Sequence, residues 1–120
     1  MLDTPLPPMP DHVLDAKSRH ARLVDQLRRA LVGVGITHAQ GLMIMTLGND
    51  MVPAASLVQD GYYDGTNPSY NLSALEKAGF IRRSIVPGDR RKRLVSLTYK
   101  GLELCIRLRQ KLAVREREAA

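Results

Sequence analysis

The stretch from Asn67 to Gly101 reads NPSYNLSALEKAGFIRRSIVPGDRRKRLVSLTYKG, and its punctuation decides how the chain folds. Asn67-Pro68 supplies a helix N-cap followed by proline at the first helical position, so a helix begins sharply at Pro68. Leu72 and Leu75 recur at helical spacing as its inward side, Ala78 is small enough to pack, and Gly79 stops it. Beyond Gly79 the hydrophobic period changes. Ile81 and Ile85 mark one strand, Pro87-Gly88-Asp89 a turn, and Val95 and Leu97, alternating with polar neighbours, a second strand. A helix is therefore followed by a hairpin whose tip, Asp89-Arg90-Arg91-Lys92-Arg93, holds four consecutive cations.

Downstream, Thr98 can cap a last helix with Leu102, Cys105, Ile106 and Leu112 on one apolar side, before the tail Arg115-Glu116-Arg117-Glu118 frays into Ala119 and Ala120. Upstream, four prolines within the first ten residues deny residues 1–10 a regular helix, so they read as a loose arm. From Asp11, a candidate N-cap, apolar residues recur at Val13, Leu14, Ala21, Val24, Leu27, Leu31 and Val34, a long amphipathic helix ended by Gly33 and Gly35. Thr37-His38-Ala39-Gln40 matches a capping box, opening a helix with Leu42, Ile44 and Met45 as core candidates and Gly48 as its close. A short helix is expected from Pro53 through Leu57 and Val58 to Gly61, followed by a turn over Tyr62-Tyr63-Asp64-Gly65-Thr66. The predicted fold is mainly α with a small β-hairpin, in the order α-α-α-α-β-β-α, as one domain over residues 11–120.

Charge is distributed unevenly. Residues 1–66 carry five Lys or Arg against seven Asp or Glu, residues 67–100 eight against two, and residues 101–120 five against three. A near-neutral body with one basic stretch is the footprint of a nucleic-acid-binding surface. The single cysteine, Cys105, excludes an internal disulfide and a zinc cluster and suits a reducing cytoplasm, where its apolar neighbours suggest a buried, inert thiol. The N-terminal residues have no basic start and no apolar run, so neither a signal peptide nor a membrane anchor is expected, and the expected location is the cytosol.

Three helices followed by a basic hairpin is the order of a winged helix-turn-helix, in which one helix enters the major groove and the wing reaches the backbone or minor groove. The helix beginning at Pro68 is the candidate reader. Asn67, Ser69, Tyr70, Asn71, Ser73 and Lys77 can contact base edges or phosphates, with Asn71 the side chain best suited to adenine. Arg82, Arg83, Asp89, Arg90, Arg91, Lys92 and Arg93 form the wing, where crowded cations favour an anionic partner and Asp89 is placed to hold one arginine in a bidentate bond. Leu75-Glu76-Lys77-Ala78-Gly79-Phe80-Ile81, then Asp89-Arg90-Arg91, then Val95-Ser96-Leu97-Thr98-Tyr99-Lys100-Gly101 resemble the signature of the MarR family of winged-helix regulators, over about 27 residues. The resemblance implies a homodimer built from the first and last helices, with Val13, Leu14, Leu102, Ile106 and Leu112 at its interface. It also implies that Asp89 orients Arg91 into the minor groove and that the dimer recognises a pseudo-palindromic operator in double-stranded DNA.

Other classes fit less well. His12, His20 and His38 are scattered, and neither a nucleophile-base spacing nor a phosphate-binding glycine loop occurs, so no catalysis, cofactor or metal is expected. Two alternatives to a sequence-specific regulator stay open: a winged-helix protein-interaction module, and an architectural DNA binder indifferent to sequence. The five methionines offer a lining for an effector pocket, although Met45 at helical spacing is more simply core, and no effector can be named from the residues.

Overall fold

The computed structural model describes residues 5–59 and 67–119, with side chains described except those of residues 58, 59, 90 and 114–119. The expected helix stop at Gly61, the turn from Tyr62 to Thr66 and the side chains of Val58 and Arg90 therefore lie outside the described residues. Residues 5–10 have no regular structure and are exposed, and helix α1 follows over Asp11–Ala30. Asp11 is its first residue rather than its cap: the backbone amides of Val13 and Leu14 donate to the Pro10 carbonyl, and the carboxylate sits in the first turn, where it favours the helix dipole. The helix ends at Ala30, before the glycines, so Val34 belongs to a following turn.

Helix α2, His38–Leu47, opens as its sequence requires. The Thr37 hydroxyl accepts from the Gln40 amide at 3.2 Å, and the Gln40 side chain accepts from the Thr37 amide at 3.1 Å. Thr37→Ala is expected to lower stability by about 1 kcal/mol, measured as a shift in urea midpoint at constant slope. The core side of α2 is Ala39, Met43, Ile44 and Leu47, whereas Leu42 and Met45 are half-buried. Its far end is held from another helix, since the Arg109 guanidinium donates twice to the Met45 carbonyl.

Pro53 departs from the expected helix start. Val52–Pro53 is a short strand, β1, and helix α3 runs over Ala54–Gln59. Strands β2 (Ile81–Val86) and β3 (Asp89–Leu97) form the expected hairpin, and β1 adds to the outer side of β3, giving the antiparallel order β1-β3-β2 with Val52 opposite Val95. An edge strand tolerates proline because the missing amide interrupts no ladder bond there. Two residues flanked by helical propensity carry too little periodicity to be read as a strand from sequence.

Helix α4, Pro68–Lys77, begins at the expected cap: the Asn67 side chain accepts from the Ser69 and Tyr70 amides. Leu72 and Leu75 are buried, and Ala78 is the exposed C-cap rather than a packing residue. Helix α5, Tyr99–Ala119, includes the charged tail expected to fray. Its core side is Leu104, Cys105 and Leu108; Leu102 and Leu112 are half-buried and Ile106 is exposed. The buried cluster of α1, α2, α4 and α5 meets the sheet through Ile81 and Val95. Burying side chains such as Leu75, Met43 and Ile44 contributes about 1.5–3 kcal/mol each, so this cluster is what carries the wing and α4.

Candidate nucleic-acid interface

The C-terminal end of α4 explains the residues flanking the hairpin. The Gly79 amide donates to the Glu76 carbonyl and the Phe80 amide to the Leu75 carbonyl, the paired bonds of a Schellman motif, with Gly79 at φ +86°. The carbonyls of Ala78, Gly79 and Phe80 are taken by Thr98 and Lys100, at the cap and first turn of α5. Lys100 Nζ donates to Ala78 at 2.8 Å, the Thr98 hydroxyl to Gly79 at 2.6 Å, and the Thr98 amide to Phe80 at 3.0 Å. The Lys100 ammonium also lies 4.4 Å from the centre of the Phe80 ring, a cation-π distance. Thr98 caps α5 as expected, its oxygen accepting from the Gly101 amide. Helix α4, the hairpin base and α5 are thus one junction.

On α4, the sequence-assigned residues divide. Ser69, Tyr70, Ser73 and Lys77 are exposed, Tyr70 at 69%, and Asn67 is exposed as the cap. Asn71 is a correction. It is 2% exposed, and its Oδ1 accepts from Gln40 Nε2 of α2 at 3.2 Å, so it faces the core and does not present its amide to a groove. Polar residues at helical spacing default to the surface, and only a partner 31 residues away reveals the exception.

The wing also divides. Arg82 is exposed, but Arg83 lies on the same side of β2 as Ile81 and turns towards α4. Its Nη2 donates to Ser73 Oγ at 3.3 Å and its Nε stands 3.9 Å from Glu76 Oε1, so it braces the wing against the helix. Ile85, expected as a strand residue with Ile81, is in the strand but 59% exposed, because the hairpin runs out past the helices that cover its base. The cations expected in a loop belong to β3. Val86 pairs with Asp89 across the turn at Pro87-Gly88, yet Ile85 pairs with Arg93, so Arg90, Arg91 and Lys92 bulge out opposite one step of β2. A bulge re-aims side chains away from the ladder, and those of Arg91, Lys92 and Arg93 are exposed. At Asp89 the backbone amide of Arg91 donates to Oδ1 at 3.0 Å, so the carboxylate shapes the bulge rather than clasping that guanidinium.

Elsewhere, among the described residues, no group of three or more His, Cys, Asp or Glu could hold a metal ion, and no helix is long and apolar enough to cross a membrane. Cys105 is buried. Met45 lines a groove with Arg19, Arg22, Leu23, Arg109 and Leu112 between α1, α2 and α5.

A capped helix with an exposed polar N-terminal half, braced against a basic antiparallel wing, defines a winged-helix DNA-binding domain. The chain belongs to the winged helix DNA-binding domain family, whose model matches residues 39–101. It is 32% identical over 101 residues to the exopolysaccharide II synthesis transcriptional activator ExpG of Rhizobium meliloti (strain 1021), covering 82% of this chain and 51% of that protein. The chain thus spans about half the length of this curated relative. Among solved structures, it superposes on S. aureus MepR in its DNA-binding conformation with a TM-score of 0.76, at 20% identity over 92% of this chain and 82% of the other. It matches the apo form of wild-type MarR from E. coli with a TM-score of 0.72, at 22% identity over 90% and 79%. A MepR–DNA complex from S. aureus gives 0.66, at 20% identity over 91% and 89%. The fold is therefore the one found in MarR-type regulators, as the sequence signature implies.

Proposed function

We propose that the chain is a sequence-specific double-stranded DNA-binding transcriptional regulator and not an enzyme, with α4 in the major groove and the bulged wing on the minor groove and backbone. The observation that carries this is the bulge itself. Consecutive cationic residues leave the ladder together, where mutual repulsion favours an anionic partner, beside a braced helix with exposed Tyr70, Ser69 and Ser73. Likeness to MepR and to the activator ExpG supports the reading.

The regulator acts as a homodimer through α1 and α5. Leu27 is the buried residue within the 20-residue α1, while Leu14 and Ile106 are exposed and Val13, Leu102 and Leu112 half-buried. The radius of gyration is 17.4 Å, against roughly 14 Å for a compact chain of this length. An amphipathic helix projecting from its own core has apolar surface left for a second copy.

Fluorescence anisotropy with duplexes selected from a random pool, against shuffled duplexes, tests the function. Salt-sensitive binding with a preference of about a thousandfold or more is expected. Equal binding to both would leave an architectural role, and no binding at low salt would leave the protein-interaction module. Tyr70→Ala is expected to relax preference at one position by about 1–3 kcal/mol, visible as a flattened column in a repeated selection.

A further inference from the structure

Gln40 is the hinge of a buried polar chain. Its Oε1 accepts from the Thr37 amide and its Nε2 donates to Asn71 Oδ1, so both ends of one amide are committed. Gln40 is 5% exposed, and the chain runs from the first turn of α2 to the first turns of α4. Around it, α4 packs through Leu72 and Leu75, contacts that are non-directional and tolerate small rotations. A hydrogen bond is directional. Successive helical residues are about 100° apart, so holding Asn71 inward sets where Tyr70, its exposed neighbour, points.

We infer that Asn71 is a positioning residue which, through Gln40, fixes the rotation of α4 about its axis and thereby the presentation of Tyr70 to DNA. The inference rests on the DNA-binding reading above. Neither member reads a base: α2 contributes the donor, α4 the acceptor, and the bond transmits the orientation of one helix to the other.

The test is a cycle of Gln40→Met, Asn71→Leu and the double variant, in the full chain, with Thr37→Ala as the capping control. Urea unfolding sets conditions under which every variant is folded, and anisotropy then gives affinity for the selected duplex. Each single variant is expected to bind about tenfold more weakly, and the double no worse than either, because the same bond is missing from all three. Thr37→Ala keeps the Gln40–Asn71 bond and is expected to keep wild-type affinity. Wild-type affinity in the folded double variant would reduce the bond to a packing detail and overturn the inference. So would loss of discrimination at one base pair in Asn71→Leu alone, which would make Asn71 a reader. Amide hydrogen exchange without DNA gives a second reading: faster exchange across α4 in both single variants supports the inference, and unchanged exchange overturns it. A wild-type chain that binds no duplex would sink the DNA-binding reading, while the exchange arm still judges the bond.

Discussion

Gly101→Ala, at the junction of α4 and α5, is expected to destabilise the fold by about 3 kcal/mol or more. A methyl group at position 101 would overlap the Phe80 carbonyl oxygen and sit 3.2 Å from a Leu97 methyl. That carbonyl cannot turn aside, because it accepts the Thr98 amide at 3.0 Å beside the Schellman end of α4. Relief would require α5 to lift away, breaking the bonds from Thr98 and Lys100 that hold the Gly79 and Ala78 carbonyls. Gly79→Ala provides the comparison. Its site is open, with the nearest atom of Lys100 4.0 Å from the added carbon, but φ is +86°, so the cost is backbone strain of about 1–2 kcal/mol. Urea midpoints at constant slope rank the two. A destabilisation below about 1 kcal/mol at position 101 would mean that the junction yields more easily than its bonds imply.

Replacing Arg90, Arg91 and Lys92 together with alanine is expected to remove two to three units from the slope of log affinity against log salt, at about 0.9 for each phosphate that is no longer neutralised. Affinity at physiological salt should fall by about a hundredfold or more, equally for selected and shuffled duplexes if the wing holds only backbone. A steeper fall on A/T-rich flanks would place the wing in a narrow minor groove. Stability should stay within about 0.5 kcal/mol, because Arg91 and Lys92 are exposed and like charges are being removed. An unchanged salt slope would detach the wing from DNA and favour an acidic protein partner.

Much of this architecture is legible along the chain. The capping box at Thr37 and Gln40, the Asn67-Pro68 start, the Gly79 stop and the Pro87-Gly88 turn each depend on residues within a few positions of one another, and each stands where its residues place it. The candidate site was legible in part: Ser69, Tyr70, Lys77 and the wing cations Arg91, Lys92 and Arg93 are exposed where a partner could meet them. Three assignments turned on distant partners. Asn71 is drawn inward by Gln40, Arg83 is drawn to Ser73 and Glu76, and Pro53 joins a strand because Leu94 lies opposite it.

The starts of α2, α4 and α5, the end of α4, the hairpin and its charge were thus determined by the sequence alone, since caps, turns and charge density are short-range properties carried by adjacent residues. Which polar side chains face DNA and which lock the helices together was decided only by the tertiary structure. A side chain's burial depends on what the fold brings opposite it, and a buried amide is stable only when that partner supplies its hydrogen bond.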